Sequence, residues 1–104
     1  MAKVTAGRDE LGAFAPEFAE LNDDVLFGKV WAREDLLSPK IRSIATVTAL
    51  VGEGVFDSSL EFHMRKAKEN GVSEPEIAEL LTQLSFYVGW PKGWAAFRLS
   101  LIHI

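Results

Sequence analysis

The chain has 104 residues, no cysteine and a formal charge of −4 at pH 7, with 48% hydrophobic and 25% charged residues. This length fits one small domain with a modest core, and the missing cysteines exclude disulfides, thiolate metal sites and thiol redox chemistry. No basic cluster exceeds Arg65-Lys66 with Lys68, so no nucleic-acid partner is expected; the longest near-apolar run, Ile44 to Val51, is too short to span a bilayer, and the expectation is a cytoplasmic protein with no membrane association.

Residues 1–7 carry no periodicity and are expected to form a flexible N-terminal arm. Arg8 to Phe14 and Pro16 to Leu21 read as short helical pieces, with Pro16 able to open the second at its first turn. Asn22-Asp23-Asp24 breaks the pattern, and Val25-Leu26-Phe27 with Val30-Trp31 forms an apolar cluster in which Leu26, Val30 and Trp31 are compatible with a further helical turn or two, weakened by Gly28. Ser38-Pro39 then starts a helix over 38–51, with Ser38 as N-cap and Pro39 at the first position. Its expected buried side holds Ile41, Ile44, Ala45, Thr48 and either Leu50 or Val51, and Gly52 and Gly54 end it.

A helix over 58–70 follows, opened by the S-x-x-E spacing of Ser58 and Glu61 and closed by Asn70-Gly71. Leu60, His63, Met64 and Ala67 fall at i, i+3, i+4 and i+7, so an imidazole stands on an apolar stripe where a leucine is expected. The next helix, 74–88, has a Ser73/Glu76 capping box and a Val72/Ile77 staple, and its stripe is Ile77, Leu80, Leu81, Leu84 and Val88. Gly89-Trp90-Pro91 makes a tight corner into a last helix over 91–100, and the tail RLSLIHI alternates like a strand. The fold class is all-α, a single-domain helical bundle over 1–104. Three Trp and seven Phe in so short a chain leave more aromatic area than a small fold can hide, which points to self-association.

The order LSPKIRSIATVTAL, SSLEFHMRKAKENGVSEPEIAE and FYVGWPKGWAAF resembles the carboxymuconolactone decarboxylase family. The resemblance rests on its L-[ST]-x-[KR]-x-R opening, H-x-x-x-A-x-x-N-G helix end, E-I-x-E helix start and Y-x-G-x-P corner. It implies the all-helical alkylhydroperoxidase-D-like fold, assembly as a homotrimer or homohexamer, and a functional role for His63. In the peroxidase branch two cysteines lie seven and four residues before this histidine; here those positions are Phe56 and Ser59, so thiol peroxidase chemistry is excluded. A glutamate that many decarboxylase-type relatives carry after the helix-opening arginine is here Ser43, and a second histidine found in short relatives is Gln83.

Decarboxylation of a lactone acid leaves charge on carbon that must be stabilised and then protonated. His63 is the candidate general acid or base, and Arg42 suits a bidentate grip on a substrate carboxylate. Ser43, Gln83 and Tyr87 offer neutral hydrogen bonds, and Trp90 with Trp94 an apolar wall. No metal and no cofactor are expected, because Asp57 and Glu61 cannot both share the face of His63. Two readings stay open: a carboxy-lyase acting on a small carboxylated or lactone metabolite, and a non-catalytic homo-oligomeric module for small-molecule binding or structure that has lost the proton relay.

Overall fold

The computed structural model describes residues 3–103, and these contain helices, turns and irregular connections but no strand. The chain divides into two compact units, residues 1–38 and 39–104. No helix among the described residues is long and apolar enough to cross a membrane.

The first unit holds α1 (Ala6–Leu11), α2 (Pro16–Glu20) and a π-helix over Leu21–Val30. Of the residues expected as an arm, 1 and 2 lie outside the described set, and Ala6 and Gly7 already belong to α1. The break expected at Asn22-Asp23-Asp24 does not occur. The chain continues from α2 through Leu21 with helical backbone angles, and the wider winding closes with an i to i+5 bond from the Trp31 amide to the Leu26 carbonyl at 2.9 Å.

Asp23 explains why three polar residues do not end the helix: its side chain turns inward instead of capping its own backbone. Asp23 is 2% exposed and accepts from the Gly7 amide at 2.8 Å and the Arg8 amide at 3.0 Å. The Arg8 guanidinium grips Asp24 with two bonds of 2.9 and 2.8 Å. The start of α1 thus receives its acceptor from a residue fifteen or more positions away, and a buried charge is satisfied by the donors that a helix start leaves open.

The second unit holds α3 (Pro39–Glu53), α4 (Ser58–Glu69), α5 (Glu74–Val88) and α6 (Trp90–His103). α4 packs on α3 and α6, and α5 packs on α6 and α3. Val47, Val51, Leu60, Met64, Leu81 and Ala96 form the centre of the core, each without exposed surface. Fully burying one Leu or Met side chain contributes about 2 kcal/mol against exposure, so this cluster is the main source of the unit's stability.

The buried face of α3 is only partly the expected one: Val51 is buried and Ile44 packs against the core as expected, but the face is centred elsewhere. Ser43, Val47 and Val51 point inward at i, i+4 and i+8, whereas Ile41 and Ala45 are exposed. An apolar sequence on nearly every side leaves the facing undecided until a polar partner selects it. Here Asn70 provides that partner, donating from Nδ2 to Ser43 Oγ at 2.9 Å.

α4 is opened by Asp57, whose carboxylate accepts from the Ser59 amide at 2.9 Å, and not by a Ser58/Glu61 box. Glu61 instead pairs with Arg65 one turn on. The Ser73/Glu76 box forms in both directions as the spacing predicts. Gly71 at φ +99° and Gly89 at φ +109° close α4 and α5 in backbone geometry that side-chain-bearing residues avoid.

α5 and α6 approach closely because Gly93 lacks a β-carbon: one built there would lie 1.9 Å from Ser85 Oγ. The described part of the tail is helical through residue 103, not extended. Ser100 faces inward, bonding the Ala96 carbonyl at 2.9 Å and meeting Met64 Sδ at 3.1 Å, which gives the apparent alternation a helical reading.

Candidate active site

His63 lies in the middle of α4, between the fully buried Leu60 and Met64, and is itself half-buried. Its Nδ1 is sealed from solvent. The Phe62 ring meets the imidazole edge-on, with centroids 5.0 Å apart and planes at 88°. Burial, and then the charge of Lys66 one turn along, push the imidazole pKa below its ordinary value. A histidine in these surroundings is neutral at pH 7, so its imidazolium form arises only at lower pH or when an anion arrives beside it.

The remaining candidates fall into two sets. Arg42 and Ser43 are adjacent on α3, Arg42 half-buried and Ser43 without exposed surface. The Arg42 carbonyl accepts from Thr46 Oγ1 at 2.8 Å, and Ser43 Oγ accepts from Asn70. Gln83, Tyr87 and Trp90 are exposed on the α5–α6 hairpin, Tyr87 over 82% of its surface. Phe86 meets Trp90 edge-on at 5.5 Å, and Arg98 lies 5.4 Å above the Trp94 ring. Among the described residues, no group of three or more His, Cys, Asp or Glu converges as for a metal ion.

An open cleft of about 340 Å³ lies in the first unit, lined by Lys3, Asp23, Asp24, Phe27 and Glu34 among others. None of the six sequence-derived candidates lines it. Its buried acid, Asp23, is committed to the start of α1, so the cleft offers a surface depression with no available buried polar group.

Asn70 is the residue whose part in this region escapes the sequence. An Asn-Gly pair at a helix end reads as a stop signal, and that role hides the reach of the side chain to α3. The usable signal is the register of the two helices, which places residue 70 opposite residue 43.

The chain's residues 16–100 match the model of the carboxymuconolactone decarboxylase family. Over 98 residues it is 32% identical to 4-carboxymuconolactone decarboxylase of Acinetobacter baylyi, covering 93% of this chain and 71% of that protein. Over 73 residues it is 36% identical to nitrosuccinic acid decarboxylase of Metarhizium robertsii, covering 70% of this chain and half of that protein. A single family model spanning α2 through residue 100 of α6, with a relative matched along nearly the whole chain, fixes the affiliation. The chain belongs to the carboxymuconolactone decarboxylase family.

Proposed function

We propose that this protein is a cytoplasmic, homotrimeric or homohexameric carboxy-lyase that removes CO2 from a small lactone acid or related carboxylate. The single observation that carries this reading is that two relatives matched over 70% or more of this chain are both named as decarboxylases of small acids. Loss of CO2 leaves its bonding electron pair on carbon, and the substrate must accept that pair. A lactone carbonyl in conjugation, or a nitro group, can do so without a cofactor, and a proton must then reach the carbon.

His63 is the proposed proton donor at that carbon, and Arg42 the proposed holder of a substrate carboxylate. The lowered pKa of His63 sets a condition on this role: the neutral ring gains its proton most readily when an anionic substrate sits beside it. Gln83, Tyr87 and Trp90 are proposed as neutral and apolar substrate contacts. Ser43, whose hydroxyl is engaged by Asn70, contributes by holding α3 in place next to Arg42.

A second reading, a non-catalytic oligomeric binding module, is favoured by that same Ser43–Asn70 bond, because it gives a structural task to a position that carries a carboxylate in many relatives of the resemblance. Turnover assays on a panel of lactone acids and nitro-substituted diacids separate the two. CO2 release by the wild type and its loss in His63→Ala supports the lyase. Binding without CO2 release from any member of the panel supports the module.

A further inference from the structure

Two apolar stripes of this chain face solvent, and their charges are opposite. On α6, Trp90, Trp94, Arg98 and Leu101 fall at i, i+4, i+8 and i+11 and are all exposed, with Phe86 packed against Trp90. Arg98 is the one charged residue of the stripe, and from residue 80 to the end of the chain there is no acidic residue at all. On the helix formed by α2 and the π-helix, Phe18, Leu21 and Val25 are exposed, preceded by Phe14 at 89% exposure. Residues 9–24 hold Asp9, Glu10, Glu17, Glu20, Asp23 and Asp24 and no basic residue, and Glu17 and Glu20 flank this second stripe.

Each stripe presents on the order of 500 Å² of apolar side chain, larger than scattered surface hydrophobics account for and, with flanking groups, near the ~800 Å² that each partner contributes to a stable interface. A stripe carrying an arginine stacked on tryptophan repels a copy of itself at close range. It is complementary to an apolar stripe edged by carboxylates.

We propose that the aromatic stripe of α6 in one copy docks on the acidic-edged apolar stripe of the α2 and π-helix segment of a second copy, so that the subunits join head to tail through two different surfaces. This rests on the self-association included in the proposed function and names the surfaces that carry it. Because each copy offers one surface of each kind, every added copy leaves a new one open until a ring closes. Arg98 lies against Glu17 and Glu20 of the next copy at the edge of this contact.

The test uses the full chain in two variants, Phe18→Asp/Leu21→Asp and Trp94→Asp/Leu101→Asp, each checked for helix content by circular dichroism and sized by sedimentation. The wild type is expected to assemble, each variant alone to be monomeric, and an equimolar mixture to give a one-to-one dimer and nothing larger. A charge-reversal pair that leaves the apolar residues intact covers loss of folding. Arg98→Glu alone and Glu17→Arg/Glu20→Arg alone each weaken assembly roughly tenfold, and one chain carrying all three substitutions recovers it.

Either aspartate variant assembling as the wild type does, or neither the aspartate mixture nor the triple charge reversal showing recovery, overturns the head-to-tail surfaces while leaving self-association intact. A monomeric wild type overturns both. Co-sedimentation of monomeric wild type with phosphatidylserine–phosphatidylcholine vesicles assigns the α6 stripe to a lipid surface and overturns the proposal as well.

Discussion

Asn70 Nδ2 donates to Ser43 Oγ at 2.9 Å, a bond that ties the end of α4 to the buried face of α3 across 27 residues of sequence. The Ser43 hydroxyl has no exposed surface, so water cannot replace Asn70 without entering the core. Asn70→Ala and Ser43→Ala are each expected to destabilise the protein by about 1–2 kcal/mol. The double variant should cost less than their sum, with a coupling of about 1 kcal/mol in urea unfolding. Full additivity would mean that the bond contributes nothing to the join.

Gly93 sits where α6 crosses Ser85 of α5. A β-carbon at residue 93 would lie 1.9 Å from Ser85 Oγ and 2.8 Å from Ser85 Cβ. Gly93→Ala, ordinarily favourable within a helix, should here cost about 1–3 kcal/mol or more through forced separation of the helices. Ser85→Ala relieves only the oxygen clash, whereas Ser85→Gly removes both. The expected order of thermal midpoints in the Gly93→Ala background is therefore Ser85→Gly above the Ser85 parent. A stabilised Gly93→Ala single variant would show that the two helices are not held at this separation.

Part of this architecture is legible in the sequence because it depends on short spacings. The Ser73/Glu76 box and the glycines at 71 and 89 act within a few residues, and each appears where the spacing predicts. The start of α4 is also local but contested: Asp57, Ser58 and Glu61 all offer capping chemistry, and the carboxylate of Asp57 takes the Ser59 amide in the first turn. The facing of α3, the inward turn of Asp23 and the packing of Gly93 depend on partners many residues away. An apolar helix such as Ile44 to Val51 carries too little contrast to reveal its own orientation. For the candidate site, periodicity isolates His63, but its lowered pKa depends on burial and on Lys66, which spacing does not rank.

Asp23 gives the first unit a pH dependence. Burial alone would raise its pKa; hydrogen bonds from Asn22 and from the Arg8 and Gly7 amides, with the Arg8 charge, more than offset this and hold it below the ordinary carboxylate value. A carboxyl group with a lowered folded pKa contributes stability that is present above its unfolded value of ~3.9 and is lost as pH falls through the folded value. Amide exchange of Gly7 and Arg8 should therefore accelerate below about pH 4 relative to amides of α5. In Asp23→Asn the same amides should exchange faster at neutral pH, with the acid-dependent step gone. Unchanged protection in that variant would contradict the anchoring role.

His63 is the claim on which the functional account turns, and its surroundings fix the sign of its pH dependence. An imidazole that donates a proton does so from its charged form, and the lowered pKa places that form below the ordinary ~6.5. The most direct measurement is the pH dependence of kcat/KM for CO2 release from the best substrate of the lactone-acid and nitro-diacid panel, in wild type and His63→Ala. Wild-type kcat/KM is expected to fall as pH rises through a value below ~6.5, and His63→Ala to lose about 100-fold or more together with that falling limb. Unaltered turnover in His63→Ala, or the same falling limb without the imidazole, would contradict this role of His63.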